Sequence, residues 1–129
     1  MNVLVDTSVW IQYFNNKKNK QTDAVDNLID DNQICINNLI LSELIPFLRL
    51  QRKSSLIELL QTIRNIPIHI DWNEIIELQY SNLKNGINKV GIPDLIILQN
   101  VLNNSLELFT FDKHFYLMSK YFDLSLFKH

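Results

Sequence analysis

Glycine is nearly missing from this chain, with two in 129 residues. No glycine-rich loop is therefore available to cradle a nucleotide phosphate or a dinucleotide, so ATP and nicotinamide chemistry find no support. The single cysteine, Cys35, cannot form an internal disulfide, and nothing points to an oxidising compartment. It stands in Ile34-Cys35-Ile36, where a small buried hydrophobe is its expected use. His69 and His129 have no companions at zinc-ligand spacing. No uninterrupted apolar stretch approaches the roughly 20 residues that span a bilayer. The opening Met-Asn-Val-Leu-Val has no basic leader and meets an acid at Asp6, so it does not read as a signal peptide. A soluble cytoplasmic protein with no membrane role is expected.

A strong positive charge is also missing: the formal balance is −2, which at first argues against a nucleic-acid partner. Setting aside Asp6, Glu43, Asp94 and Asp112 leaves ten acids against twelve bases. Lys17, Lys18 and Lys20 lie together, as do Arg49, Arg52 and Lys53. Such groups can touch phosphates, but a solvated helix face is their more ordinary use. What the chain does have is apolar mass. It is 47% hydrophobic with seven phenylalanines, enough for one compact core. No repeat, linker or low-complexity tract divides it, so one domain over 1–129 is expected.

Val3-Leu4-Val5 reads as a buried strand ending at Asp6. Thr7 or Ser8 can cap the helix that follows, with Trp10, Tyr13 and Phe14 at helical spacing. A helix over Asp23 to Ile29 leads to a strand at Ile34-Cys35-Ile36. Asn37 or Asn38 offers a cap for a helix through Leu41, Leu44, Leu48 and Arg52, followed by another over Ser55 to Ile63. Ile66 to Ile70 reads as an edge strand, because Pro67 cannot donate to a ladder. Glu74 to Lys84 is helical, and Gly86 suits its end. Pro93 fits the first turn of a helix reaching Leu102. Leu106 to Thr110 is a strand, Lys113 to Ser119 a helix and Leu124 to Phe127 a last edge strand. Strands alternating with helices predict an α/β fold around a mainly parallel sheet covered on both faces. Ligand sites in such folds lie beyond the carboxyl ends of the strands.

That rule singles out the acids. Asp6 and Asp112 each follow a strand directly. Glu43 lies in the helix after the second strand, and Asp94 opens its own helix behind Pro93. Carboxylates held a few ångströms apart raise one another's pKa unless a cation intervenes. A hard divalent ion such as Mg²⁺ takes oxygen ligands, and it can activate water and stabilise the departing oxygen of a phosphodiester. It also lets a polyanion approach an acidic pocket. Each acid has a plainer use as well. Asp6 and Asp112 can be helix caps, and the helix dipole favours Asp94 in a first turn. Glu43 lies in the apolar run Leu39-Ile40-Leu41-Ser42-Glu43-Leu44-Ile45, where an unpaired carboxylate is costly to bury. Thr7, Ser8 and Thr110 flank the acids and can orient them, or can serve as caps and turns. His114, two residues beyond Asp112, is weighed as a proton donor against a structural helix histidine.

Asp6-Thr7-Ser8-Val9-Trp10-Ile11, Ser42-Glu43-Leu44, Pro93-Asp94-Leu95-Ile96 and Thr110-Phe111-Asp112-Lys113-His114-Phe115 resemble, in order and spacing, the successive motifs of PIN-domain nucleases. The VapC-type toxins of toxin–antitoxin pairs are the nearest likeness, over essentially the whole chain. The resemblance implies a PIN-like three-layer α/β/α sandwich with about five parallel strands. It also implies Mg²⁺- or Mn²⁺-dependent endoribonuclease activity, with Asp6, Glu43, Asp94 and Asp112 as the metal-binding acids and Thr110 in support. The partners it implies are RNA (tRNA among the candidates), a VapB-type antitoxin near the acids and a second copy of the chain. Two departures stand out. Pro46 lies within the helix carrying Glu43, where it removes the bond to the Ser42 carbonyl and is expected to kink the helix. Bulky Ile97 and Leu98 follow Asp94 where relatives often carry small residues. A non-catalytic PIN-fold module that binds RNA or protein is the alternative, with the acids reduced to caps. A phosphoryl-transfer signalling module is a third option, but no lysine partners a candidate acceptor aspartate.

Overall fold

The computed structural model describes residues 2–15 and 19–129. Lys17 and Lys18 of the first basic group lie outside the described residues. Five strands, β1 (Val3–Val5), β2 (Ile34–Ile36), β3 (Arg64–Asn65), β4 (Glu107–Phe109) and β5 (Ser125–Leu126), form one sheet in the order β3-β2-β1-β4-β5. Every pairing is parallel. Seven helices among the described residues accompany it: α1 (Thr7–Phe14), α2 (Lys20–Asp30), α3 (Asn38–Leu50), α4 (Ser54–Thr62), α5 (Trp72–Lys84), α6 (Ile92–Asn103) and α7 (Lys113–Met118). The α/β sandwich expected from the alternation of elements is present.

β1 and β2 are apolar throughout and buried at every position, as parallel strands covered on both faces must be. The chain winds outward from β1 to β2 and β3, then returns to the other side of β1 as β4. The crevice beyond β1 and β4 is thus where the winding direction reverses, the place where open α/β sheets bind ligands. Val5 pairs with Phe109, and the Asp6 amide donates to the Phe109 carbonyl at 2.9 Å. This register sets Asp6 beside Thr110.

Several boundaries differ from the sequence expectation, each for a local reason. The edge strand is Arg64–Asn65 rather than Ile66 to Ile70. Ile66 donates to the Ile36 carbonyl at 2.8 Å, and Pro67 has no N–H to extend the ladder. α2 starts at Lys20, not Asp23, because Asn19 and Thr22 form a capping box. Thr7 and Ser8 do not cap α1; Asp6 occupies the cap position and makes no side-chain cap bond. Asn37, rather than Asn38, caps α3 by accepting from the Ile40 amide, while its amide group donates to Asn100 on α6. α3 ends at Leu50, and Arg52 lies beyond it with φ of 56°.

Pro46 lies within α3 on its exposed side, where the Ser42 carbonyl it leaves unbonded can face water. Ile97 and Leu98 are fully absorbed in the core. Gly86 follows α5 at φ of 75°, and the Ile87 amide closes back on the Asn82 carbonyl at 2.8 Å. The left-handed backbone there favours glycine and sends the chain toward α6. Cys35 is buried and free, and burial pushes its thiol pKa up. It is a core residue.

Candidate active site

Asp6 is almost entirely buried at the end of β1, yet it is a carboxylate. Two hydroxyls meet its Oδ2: Thr110 donates at 2.9 Å from the end of β4 and Ser8 at 3.0 Å from the first turn of α1. The same two side chains tie the loop after β4. Ser8 Oγ accepts from the Phe111 amide and Thr110 Oγ1 from the Asp112 amide, both at 3.0 Å. Asp6 and the Asp112 loop are therefore one hydrogen-bonded unit. Burial pushes the Asp6 pKa up most strongly, against the lowering effect of Thr110, Ser8 and the Thr7 backbone, and the Asp112 charge adds to the rise.

Asp112 caps α7 by accepting from the His114 amide at 2.9 Å. The His114 ring turns back on the same oxygen, with Nδ1 3.1 Å from Oδ1. Asp94, in the first turn of α6 behind Pro93, joins them. Ligand atoms of Asp94, Asp112 and His114 all lie within 4.8 Å of one another. Glu43 is exposed on α3, since Ile40, Leu44 and Leu48 take the buried face. The cost of burying it, expected from its apolar neighbours in sequence, does not arise. Its Oε1 accepts from the Thr7 hydroxyl at 3.0 Å, which links it to the start of α1.

Asp94 is electrostatically the most exposed to its neighbours. It is half-buried, and no donor among the described residues hydrogen-bonds its carboxylate. Burial raises its pKa to about 6, helped by Asp112, Asp6 and Glu43 and opposed only by His114. Among the described residues no lysine or arginine forms an ion pair with any of the four acids; the His114–Asp112 contact is an ion pair only when the ring is protonated. The arrangement concentrates negative charge that the protein does not neutralise. A divalent cation would do so, and a donor set of carboxylate oxygens fits a hard ion.

Of the two uses weighed for His114, the helix position is the one observed, at the second residue of α7, and its ring also meets Asp112. The signal was its position two residues beyond a capping aspartate, where both backbone and ring can reach the carboxylate. His129 stacks instead on Phe109 with ring centres 4.9 Å apart. A cavity of about 620 Å³ lies elsewhere, between α1–α2 and the α3–α4 turn. It contains Arg52 and Lys53 but none of the four acids.

Fold and crevice together define a parallel α/β protein with a carboxylate cluster at the switch point of its sheet. The PIN domain family matches residues 3–121, and the chain belongs to that family, whose members are generally nucleases. Among solved structures it is similar to VapBC2 from Rickettsia felis, crystallised with a DNA fragment from the promoter. That likeness has 20% identity, a TM-score of 0.77 and coverage of 98% of each chain. A chain of FitAcB from Neisseria gonorrhoeae matches at 18% identity with a TM-score of 0.72, over 98% of this chain and 96% of that one. A toxin–antitoxin complex from Klebsiella pneumoniae matches at 22% and 0.64, over 86% and 87%. These likenesses establish the shared fold. No curated protein matches the chain.

Proposed function

We propose that the chain is a divalent-metal-dependent endoribonuclease, one nuclease domain over residues 1–129, acting as the toxin of a type II toxin–antitoxin pair. The observation that carries this reading is Asp94: a half-buried carboxylate without a hydrogen-bond donor, facing three further acids and no lysine or arginine ion pair. Asp6, Glu43, Asp94 and Asp112 would hold Mg²⁺ or Mn²⁺. When bound, such an ion supplies a more acidic water and stabilises charge on the oxygen leaving the phosphodiester. The chain's own part is to hold the acids still. Thr110 and Ser8 fix Asp6 against rotation, and Thr7 does the same for Glu43. Hydroxyl donors of this kind orient ligands without adding charge.

The toxin assignment is supported by the toxin–antitoxin complexes among the similar structures. A VapB-type antitoxin with basic side chains complements the unneutralised acids. RNA, with tRNA among the candidates, is the substrate, and the cytoplasm is the compartment where both are met. No helix among the described residues is long and apolar enough to cross a membrane. Purified protein is expected to cleave RNA with Mg²⁺ or Mn²⁺ and to stop in excess chelator. Metal-independent cleavage, or tight RNA binding without turnover across a broad RNA panel, would reject the assignment.

A homodimer belongs to the same proposal. Trp72, Ile76, Tyr80 and Leu83 are spaced along α5 at intervals that share one helical face, and each is more than half exposed. A contiguous exposed apolar face of this kind marks an interaction site, and a second copy of the chain is the occupant proposed for it. Ile76→Asp would bury an unpaired charge in the interface, and dimer affinity is expected to fall at least ~100-fold. Sedimentation velocity at micromolar concentration reads this. A variant that remains dimeric moves the interface off α5.

A further inference from the structure

The crevice is not built from oxygen alone. Taking the acids as the metal site proposed above, we infer that His114 is a direct ligand of the ion, making a mixed oxygen–nitrogen site that favours a first-row transition metal over Mg²⁺. The geometry is the warrant. Two ligands about 2.1 Å from an octahedral ion stand roughly 3 Å apart when adjacent and roughly 4.2 Å apart when opposite. His114 Nδ1 and Asp112 Oδ1 are 3.1 Å apart, the length of one edge of such an octahedron. With Asp94 included, no pair in the group exceeds 4.8 Å. A contraction of about half an ångström closes the set.

The fold leaves the ring little freedom to be elsewhere. His114 is the second residue of α7, and its amide is already bound to Asp112, which anchors the backbone beside the carboxylate. The ring is partly buried, with about a quarter of the side chain exposed. In the neutral tautomer with its proton on Nε2, Nδ1 presents a lone pair on the side of Asp112. Imidazole adds affinity for first-row transition ions and little for Mg²⁺, which prefers oxygen and holds its waters. His69 has no acidic neighbour of this kind, and His129 is committed to the aromatic cluster.

The test reads the ion itself rather than cleavage. Mn²⁺ bound to the full chain is examined by pulsed electron paramagnetic resonance, with histidine in natural abundance and labelled with ¹⁵N. Expected is a nitrogen modulation that changes with the label and disappears in His114→Ala. Calorimetric titration of that variant is expected to show Mn²⁺ affinity lowered about tenfold or more, with Mg²⁺ affinity changed much less. The labelled wild-type spectrum needs no variant, so a folding defect in His114→Ala does not blunt the test. Mn²⁺ bound in the wild type with no histidine nitrogen signal overturns the inference and leaves the acid site standing. Equal losses of Mn²⁺ and Mg²⁺ affinity without that signal overturn it too, reducing His114 to a brace for Asp112. No Mn²⁺ binding at all in the wild type sinks the metal reading itself.

Discussion

Metal-dependent RNA cleavage is expected to fall by at least ~100-fold when Asp6 or Asp94 is changed to asparagine, beyond the loss typical of disturbing groups that merely orient a ligand. Asparagine keeps the shape of the side chain and removes its charge. At position 6 the exchange is mild for the fold. The Thr110 and Ser8 hydroxyls can each donate or accept, so an amide in place of the carboxylate can still be satisfied in that buried setting. The charge that would hold the ion is lost, while β1, β4 and their register persist. At position 94 no side-chain hydrogen bond is broken, because none is made among the described residues. Single-turnover cleavage of a labelled RNA at saturating Mn²⁺ measures the loss, and circular dichroism checks that both variants fold. Cleavage within about tenfold of the wild-type rate in both variants would place the chemistry elsewhere.

Much of this is legible in the sequence, for physical reasons. β1 and β2 could be read because a strand buried on both faces must be apolar at every residue, and Val3-Leu4-Val5 and Ile34-Cys35-Ile36 are. Pro93 and Gly86 punctuate α6 and α5 through backbone geometry that other residues reproduce poorly. β3 was not legible. Arg64 and Asn65 are exposed and polar, so no hydrophobic pattern marks them, and the neighbouring Ile66-Pro67-Ile68 run drew the strand two residues too far along. Asp6, Asp94 and Asp112 could be singled out because each stands at a strand end or helix entrance, and Glu43 because it is an acid in the apolar second turn of α3. Their environments were not. Linear context made Glu43 look buried, whereas the period of α3 turns it outward. The hydroxyl ties from Ser8 and Thr110 span more than a hundred residues of sequence and exist only because β1 and β4 are neighbours. His114 needed α7 to begin where it does before its ring could meet Asp112.

The substitution that removes activity at Asp94 is also expected to stabilise the metal-free protein. Burial, then the charges of Asp112, Asp6 and Glu43, raise this carboxyl to about 6 from its ordinary 3.8. Between those values the unfolded chain has released its proton while the folded chain still holds it, so stability falls as pH rises through that window. Above it the full penalty is present. Two pKa units correspond to about 3 kcal/mol, and solvent screening of a half-buried group reduces this to about 1–2 kcal/mol. Asp94→Asn escapes the penalty, and its melting temperature in chelator at pH 7.5 is expected to exceed the wild-type value by roughly 5 °C. The two proteins should converge below about pH 4, where the wild-type carboxyl is protonated in both states. Mn²⁺ reverses the order, because an ion bound only by the folded wild type adds about 2.7 kcal/mol at a hundredfold excess over its Kd. Thermal melts of both proteins across pH, with and without Mn²⁺, give the comparison. A metal-free variant less stable than wild type at pH 7.5 would mean that Asp94 already has a favourable partner, and the crevice would then have no unbalanced charge for a cation to relieve.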